Sequence, residues 1–192
     1  MVALHMQVDV QASNPPPGRV AGLASDDKHR FSKSARDVLT LLAGVGVEGD
    51  AHAGPLVRHR YLARRHPLMP NLRQVHLLPS ELLEALRAEG YELAPADLGE
   101  NVLTSGVALA SLPLGALLKI GAATIELTGL RTPCVLIDRF KAGLQRKLIA
   151  SGSGPPYRCG VMGVVRSGGA VAVGATIEIA FPAGAWRALP AL

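Results

Sequence analysis

The 192 residues suit one domain, and a hydrophobic content of 48% is ample for one core. Aromatics at 4% and a mild net charge of +5 argue against nucleic-acid binding by base stacking and leave anionic small molecules open as partners. No apolar run of about 18 residues marks a membrane span, Met1 to Asp9 lacks a signal-peptide layout, and two cysteines make no disulfide scaffold; the expectation is a cytoplasmic chain with free thiols, with neither nucleic acid nor membrane as partner.

With 21 glycines, 14 prolines and few aromatics, the core must come from Ala, Val, Leu and Ile in many short strands. Residues 1–17 read as an N-terminal extension. Val2, Leu4, Met6, Val8 and Val10 alternate as in a strand, and the proline run Pro15-Pro16-Pro17 stops it. Val20 to Leu23 reads as a strand, residues 25–36 as a polar loop, and Val38 to Ala43 as a strand. Gly44 to Pro55 is too glycine-rich for a helix and reads as an ordered loop. Residues 56–70 carry Arg58, His59, Arg60, Arg64, Arg65 and His66. Gln74 to Leu78 is a short strand. Pro79-Ser80-Glu81 then starts a helix that carries Leu82, Leu83 and Leu86 and ends at Gly90.

Past Gly99 the chain turns to short apolar runs broken by glycine. Asn101 to Leu103, Ala116 to Ile120 and Thr124 to Thr128 read as strands, the last two joined as a hairpin through Gly121-Ala122. Cys134 to Phe140 and Gly143 to Ala150 are helix candidates, and Ser151 to Pro156 is a connector. Val161 to Arg166 and Ala170 to Val173 read as a hairpin across Gly168-Gly169. Thr176 to Phe181 is the last strand, and residues 183–192 form a C-terminal tail. The fold class expected is mostly β with helices, an α+β arrangement around a barrel.

Chemistry centres on Cys134, in Leu127-Thr128-Gly129-Leu130-Arg131-Thr132-Pro133-Cys134. Thr132 is biased to extended geometry by the following proline, and Pro133 suits the first position of a helix. That puts Cys134 in the first helical turn, among free N–H groups and near Arg131, both of which favour the thiolate. A thiolate attacks electrophiles or binds a soft metal. The bland alternative is a buried, inert cysteine. Cys159 reads as a core or loop residue, with a resolving partner for Cys134 as the alternative. His52, His59 and His66 are seven apart, but Gly54, Pro55 and Pro67 break a continuous helix, so a solvated basic loop is expected there rather than a metal triad.

Several segments, in this order, resemble the MOSC domain family, named for the C-terminal domain of molybdenum-cofactor sulfurase. They are Gly46 to Gly54, Asn71 to Leu77, Leu98 to Thr104, Leu112 to Gly115, Thr128 to Cys134, and Gly160 through Gly168-Gly169 to Gly174. The resemblance spans about residues 18–182 and implies a MOSC-type β-barrel with one essential cysteine. In relatives that reduce N-hydroxylated compounds, that cysteine ligates the molybdenum of the pterin cofactor (Moco). In sulfurases the domain has been proposed to carry sulfur. Pyridoxal phosphate belongs to a separate sulfurase domain that this chain is too short to hold. Two positions depart from the pattern: Ala51 stands where many relatives have Arg, which weakens an anion-binding role for that loop, and Ala175 replaces an Asp.

The resemblance implies Cys134 as the catalytic residue and metal ligand, with His59, Arg60, Glu100, Asn101, Arg131 and Thr132 around the cofactor. Molybdenum takes soft thiolate ligands, and the cofactor phosphate needs basic groups. For residues 58–66 a solvated surface loop is an equal alternative. For Glu100 and Asn101 the alternative is turn formation. Three functions stand open: a molybdenum reductase of N–O compounds, which needs a small-molecule substrate and a separate electron-donor protein; a sulfur carrier through a Cys134 persulfide; and a non-catalytic anion-binding module.

Overall fold

Aliphatic residues two positions apart bury one face of each short run and leave the other free to pair. In the computed structural model, residues 15–192 are described except 59, 151 and 153, and except the side chains of 60–62. The expected strand at Val2 to Val10 lies outside the described residues. Strands β1 (Gly18–Ser25), β2 (Ser34–Arg36), β3 (Val38–Leu42), β4 (Gly46–Val47), β5 (Val75–Pro79), β6 (Val102–Ser105), β7 (Leu117–Ile120), β8 (Ala123–Leu130), β9 (Val161–Ser167), β10 (Gly169–Ala172) and β11 (Thr176–Ala180) carry the fold. Helices are short: α1 (Arg60–Arg65), α2 (Ser80–Ala88), α3 (Val135–Phe140) and α4 (Leu144–Lys147).

Seven strands close into a barrel in the order β11-β7-β8-β9-β5-β6-β1, with β1 pairing back onto β11 through Gly18 with Ile177 and Arg19 with Thr176. Closure removes both open edges. Only β5 and β6 run parallel; helix α2 makes that crossover. A second sheet, β10-β3-β4, packs beside the barrel. The main core is aliphatic throughout, with Leu41, Leu77, Leu118, Ile120, Ile125 and Leu127 among its fully buried side chains. Helices α2, α3 and α4 seal a second cluster containing Leu83, Leu86, Ile137, Leu144 and Cys159. The α+β, β-rich class read from the sequence is the one observed.

Four local readings are corrected. Ser34–Arg36, read as loop, adds an exposed edge strand to β1. The stretch Gly44 to Pro55 is turn-rich as expected but holds the two-residue strand β4. Gly168-Gly169 does not fold β9 and β10 into a hairpin: β9 pairs with β8 and β5, while β10 leaves the barrel and pairs with β3, from Gly169 with Leu41 to Ala172 with Val38. The glycines let the chain pass close to β3, because a Cβ at Gly168 would come within 2.8 Å of the Leu41 carbonyl. Finally, α3 starts at Val135. Cys134 is its N-cap in extended geometry (φ −109, ψ 163) and makes no side-chain capping bond.

Residues 187–192 run along the end of β8. Leu130 N–H donates to Pro190 O at 2.7 Å, and Leu192 N–H to Leu130 O at 3.0 Å. Gly129 permits this approach, since a Cβ there would meet the Leu192 side chain at 2.5 Å. No helix among the described residues is long and apolar enough to cross a membrane.

Candidate functional site: a cationic cavity beside Cys134

β8 and β9 are the longest-paired strands of the barrel, and their end fixes the thiol. Arg131 N–H donates to Gly160 O at 3.0 Å, one step beyond the last ladder pair, Leu130 with Val161. Thr132 is then tied to the C-terminal segment by its hydroxyl, which donates to Leu192 O at 2.6 Å. Cys134 follows, half-buried. Cys159 lies behind it in the second core cluster, and its thiol donates to Arg131 O at 2.8 Å. Burial pushes the Cys159 thiol up to about 11, with the Arg131 charge opposing. Cys159 is thus the inert, buried residue, as the core reading had it.

Cys134 faces a cavity of about 520 Å³, within the size range of small-molecule sites. Around it stand Lys33, Arg58, Arg73 and Arg131, with His29, His52 and His76, and among the described lining residues none is an Asp or Glu. Phe31, Leu136, Met162 and Leu192 form an apolar part of the wall. Arg131 Nη1 is buried with no protein partner. Arg73 is half-buried, and its affinity for a proton is lowered by burial and then by repulsion from Arg131. Two guanidinium groups close enough to repel each other, one with an orphaned buried donor, call for an anion between them.

One buried carboxylate stands just behind this wall. Asp50 Oδ2 accepts from Lys33 Nζ at 2.6 Å and from Asn101 Nδ2 at 3.0 Å. Its Oδ1 accepts the His52 backbone N–H at 2.9 Å and lies 3.3 Å from the His52 ring Nδ1. Burial would raise the Asp50 carboxyl, but the hydrogen bonds from His52 and the charge and hydrogen bond of Lys33 outweigh it, and it is held well below the usual carboxylate range. Lys33, itself buried, is lowered by desolvation and supported by Asp50. His76 is fully buried; its Nε2 donates to Cys159 O at 2.9 Å, and desolvation followed by Arg131 keeps the ring neutral.

Of the sequence-derived residues, Cys134, Asn101, Arg131 and Thr132 line the cavity together. Glu100 does not. It turns inward, accepts the Ala96 N–H at 2.6 Å, leaves Oε2 without a partner, and is raised by burial. Arg60 sits on α1, but its side chain, like His59, lies outside what is described; Arg58, two residues before it, lines the cavity. Among the described residues no cluster of three His, Cys, Asp or Glu is placed to hold a metal ion. Lys33, Asn71, Arg73 and His76 were not singled out from sequence. The available signal for His76 was a lone histidine in an apolar strand run, and for Asn71 and Arg73 a place inside a resembling segment.

The comparisons with known proteins agree with this architecture. The MOSC domain family matches residues 48–178. The YuaD protein of Bacillus subtilis superposes with a TM-score of 0.70 at 25% identity, covering 85% of this chain and 96% of that one. YiiM from Escherichia coli superposes with a TM-score of 0.59 at 21% identity, covering 88% and 73%. YiiM from Geobacillus stearothermophilus gives 0.64 at 14% identity, covering 89% and 79%. No curated protein matches the chain significantly. A closed seven-stranded barrel with a cysteine at the end of β8, matched by the family across residues 48–178, places this chain in the MOSC domain family.

Proposed function

We propose that this MOSC protein binds the molybdenum–pterin cofactor in the cavity beside Cys134 and reduces N-hydroxylated or similar N–O compounds. The observation that carries the reading is the pairing of a half-buried thiol with a cationic pocket lined by no Asp or Glu among the described residues, whose Arg131 has an orphaned buried donor. The donor set fits the group. A thiolate suits molybdenum, and guanidinium groups suit a phosphate. Cys134 would supply the protein sulfur. Arg131 and Arg73, with Arg58 and Lys33, would hold the anionic part. Asn101 and Thr132 would supply neutral polar contacts, and Asp50 would keep Lys33 charged and in place.

When bound, the cofactor supplies a two-electron couple. The net reaction converts R–NHOH, two electrons and two protons into R–NH2 and water, with the electrons coming from a separate redox protein. The chain's own residues bind, orient and desolvate. His76 is neutral and so adds no further charge to the pocket, while Phe31, Leu136 and Met162 exclude water from one wall.

The test is Cys134→Ser, which keeps size but replaces a soft sulfur with a hard oxygen. Wild type purified from cofactor-replete cells should contain molybdenum and pterin and reduce hydroxylamines. The variant should lose one sulfur, the protein's, from the molybdenum coordination shell, seen by X-ray absorption, and lose turnover, while keeping pterin through its phosphate contacts. Releasable sulfur on a molybdenum-free wild type would instead favour a persulfide carrier on Cys134. Binding neither, with anion affinity retained, would favour a non-catalytic anion-binding module.

A further inference from the structure

We propose that the strap of residues 187–192 is the size-selecting wall of the Cys134 cavity, with the Leu192 side chain limiting how bulky a group can reach the thiol. For N–O substrates this rests on the reductase reading above; for access to the thiol it stands alone.

The strap is fixed along its length. At its start, Leu114 N–H donates to Arg187 O at 2.8 Å, and Leu189 is buried in the main core. Further on, Leu130 N–H donates to Pro190 O, Leu192 N–H donates to Leu130 O, and Ala191 is bridged in parallel to Leu130. The Thr132 hydroxyl then donates to Leu192 O at 2.6 Å. The residues on either side of Arg131 are thus both tied to the strap. It cannot shift without moving Arg131-Thr132-Pro133, the lead into Cys134.

What the strap brings is a side chain that β8 lacks. Gly129 pairs with Met162 on β9, and directly opposed residues of an antiparallel pair share a face. Gly129 has nothing to place beside Met162, and Leu192 takes that space. A Cβ on Gly129 would lie 2.5 Å from Leu192 Cγ and 2.6 Å from Pro190 O. Leu192 and Met162 both line the cavity, as do Leu136 and Phe31. A side chain at 129 would evict the strap.

The two sides of the cavity therefore read different things. The cations recognise an anion whatever is attached to it. Bulk is sensed by the apolar wall, where one methylene more or less changes binding by about tenfold or more. A wall measures size only if it cannot give way, and the bonds of the strap remove that freedom. A strap kept only to cover the end of β8 needs backbone bonds and no side chain in the cavity wall.

The experiment labels Cys134 in the full chain, purified free of molybdenum, with N-ethylmaleimide and N-cyclohexylmaleimide. Both reagents add the thiolate across the same double bond and take one proton from water. The ratio of their rates at Cys134 therefore cancels thiol acidity and reports the bulk of the alkyl group. Peptide mapping separates Cys134 from the buried Cys159. Leu192→Ala keeps every backbone bond of the strap and should raise the cyclohexyl-to-ethyl ratio about tenfold. Leu192→Trp should lower it. Gly129→Ala displaces the strap without altering its sequence and should raise the ratio as Leu192→Ala does. Leu68→Ala, at an exposed leucine outside the cavity wall, should leave the wild-type ratio unchanged. Thermal melts establish that folded proteins are compared, and if Gly129→Ala does not fold, the two Leu192 variants decide. A wild-type ratio in Leu192→Ala overturns the inference. So does a change of both rates by one factor, which would mean that the strap only positions the thiol. In cofactor-loaded protein, kcat/KM for N-cyclohexylhydroxylamine over N-methylhydroxylamine should follow the same order among the variants. If loaded wild type reduces neither compound, the reductase reading falls, and the labelling ratio still decides the wall.

Discussion

The closed barrel and the cavity at the end of β8 are built on opposite rules. The main core, formed by the barrel with the sheet beside it, is aliphatic throughout, and every barrel strand finds at least two partners. The cavity wall holds the buried polar groups Asn71, His76 and Asn101, with Asp50 behind it bonded to Lys33 and Asn101. The barrel side chains gain by leaving water. The cavity groups lose by it, and persist because a few hydrogen bonds hold like charges near one another. In this molecule the barrel provides stability and the cavity spends it, so substitutions in the two regions should separate cleanly.

The largest expected effect sets one region against the other. Asp50→Ala strands the buried Lys33 without its carboxylate and leaves Asn101 Nδ2 short of an acceptor. Breaking a buried pair from one side costs about 3–5 kcal/mol. Leu127→Ala opens a hole in the barrel at a similar cost of about 2–5 kcal/mol. Stability alone does not tell them apart. Affinity of the folded protein for inorganic phosphate does: it should be unchanged in Leu127→Ala and clearly reduced in Asp50→Ala, where Lys33 loses its anchor. Denaturant melts with phosphate titrations at sub-denaturing conditions check both. Equal phosphate affinities in the two variants would break the division.

A smaller effect comes from pH. His76 has a folded-state affinity for protons held below its ordinary value, so the unfolded chain binds the extra proton first. Stability is therefore present above about pH 6.5 and falls as pH drops below it, by up to about 1.4 kcal/mol per pH unit. Asp50 adds a loss of the same sign, but only once pH falls through the ordinary carboxylate range. Glu100, raised by burial, acts in the opposite sense as that range is approached. His76 therefore contributes to the slope between about pH 6.5 and 5.5, and its share is what the variant removes. Melts of wild type and His76→Gln across that window should show it flattened in the variant, and an unflattened slope would remove His76 from the acid response.

The same division explains what was legible in the sequence. The alternation in Thr176 to Phe181, the hairpin through Gly121-Ala122 and the helix after Pro79 are local, and each formed as read. Partners chosen over long separations were not legible. β1 closes onto β11 across most of the chain, and β10 passes to β3 although its turn looked local. The cavity follows suit. Cys134, Arg131 and Thr132 are contiguous, and Asn101 sits in a resembling segment, so they were found. Lys33 was read as part of a polar loop, because its reason for burial is Asp50, 17 residues away. Glu100 was placed beside the cofactor, but it points away from the cavity. Side-chain direction at a strand start depends on what lies behind it, here the Ala96 N–H.

The smallest expected change in stability is the sharpest test of the cavity's rule. Arg131 gives the folded protein little to lose. Its Nη1 has no protein partner, and its charge disfavours protons on Arg73 and His76. Arg131→Met keeps an unbranched stem of similar reach and removes the cation. The backbone bonds of residue 131 to Gly160 and Cys159 remain, because they use its N–H and C=O. Relief of repulsion and loss of packing should nearly cancel, leaving stability within about 1 kcal/mol of wild type or slightly above it. Phosphate affinity should nevertheless drop about tenfold, since a charge-assisted donor aimed into the cavity is gone. A stability loss comparable to Leu127→Ala, with phosphate binding intact, would mean that Arg131 belongs to the barrel's rule and that the anion site lies elsewhere on the wall. The expected pattern, no stability lost and binding lost, is what a side chain kept for a ligand must give, because its cost is carried in the free protein and its benefit appears only with the anion in place.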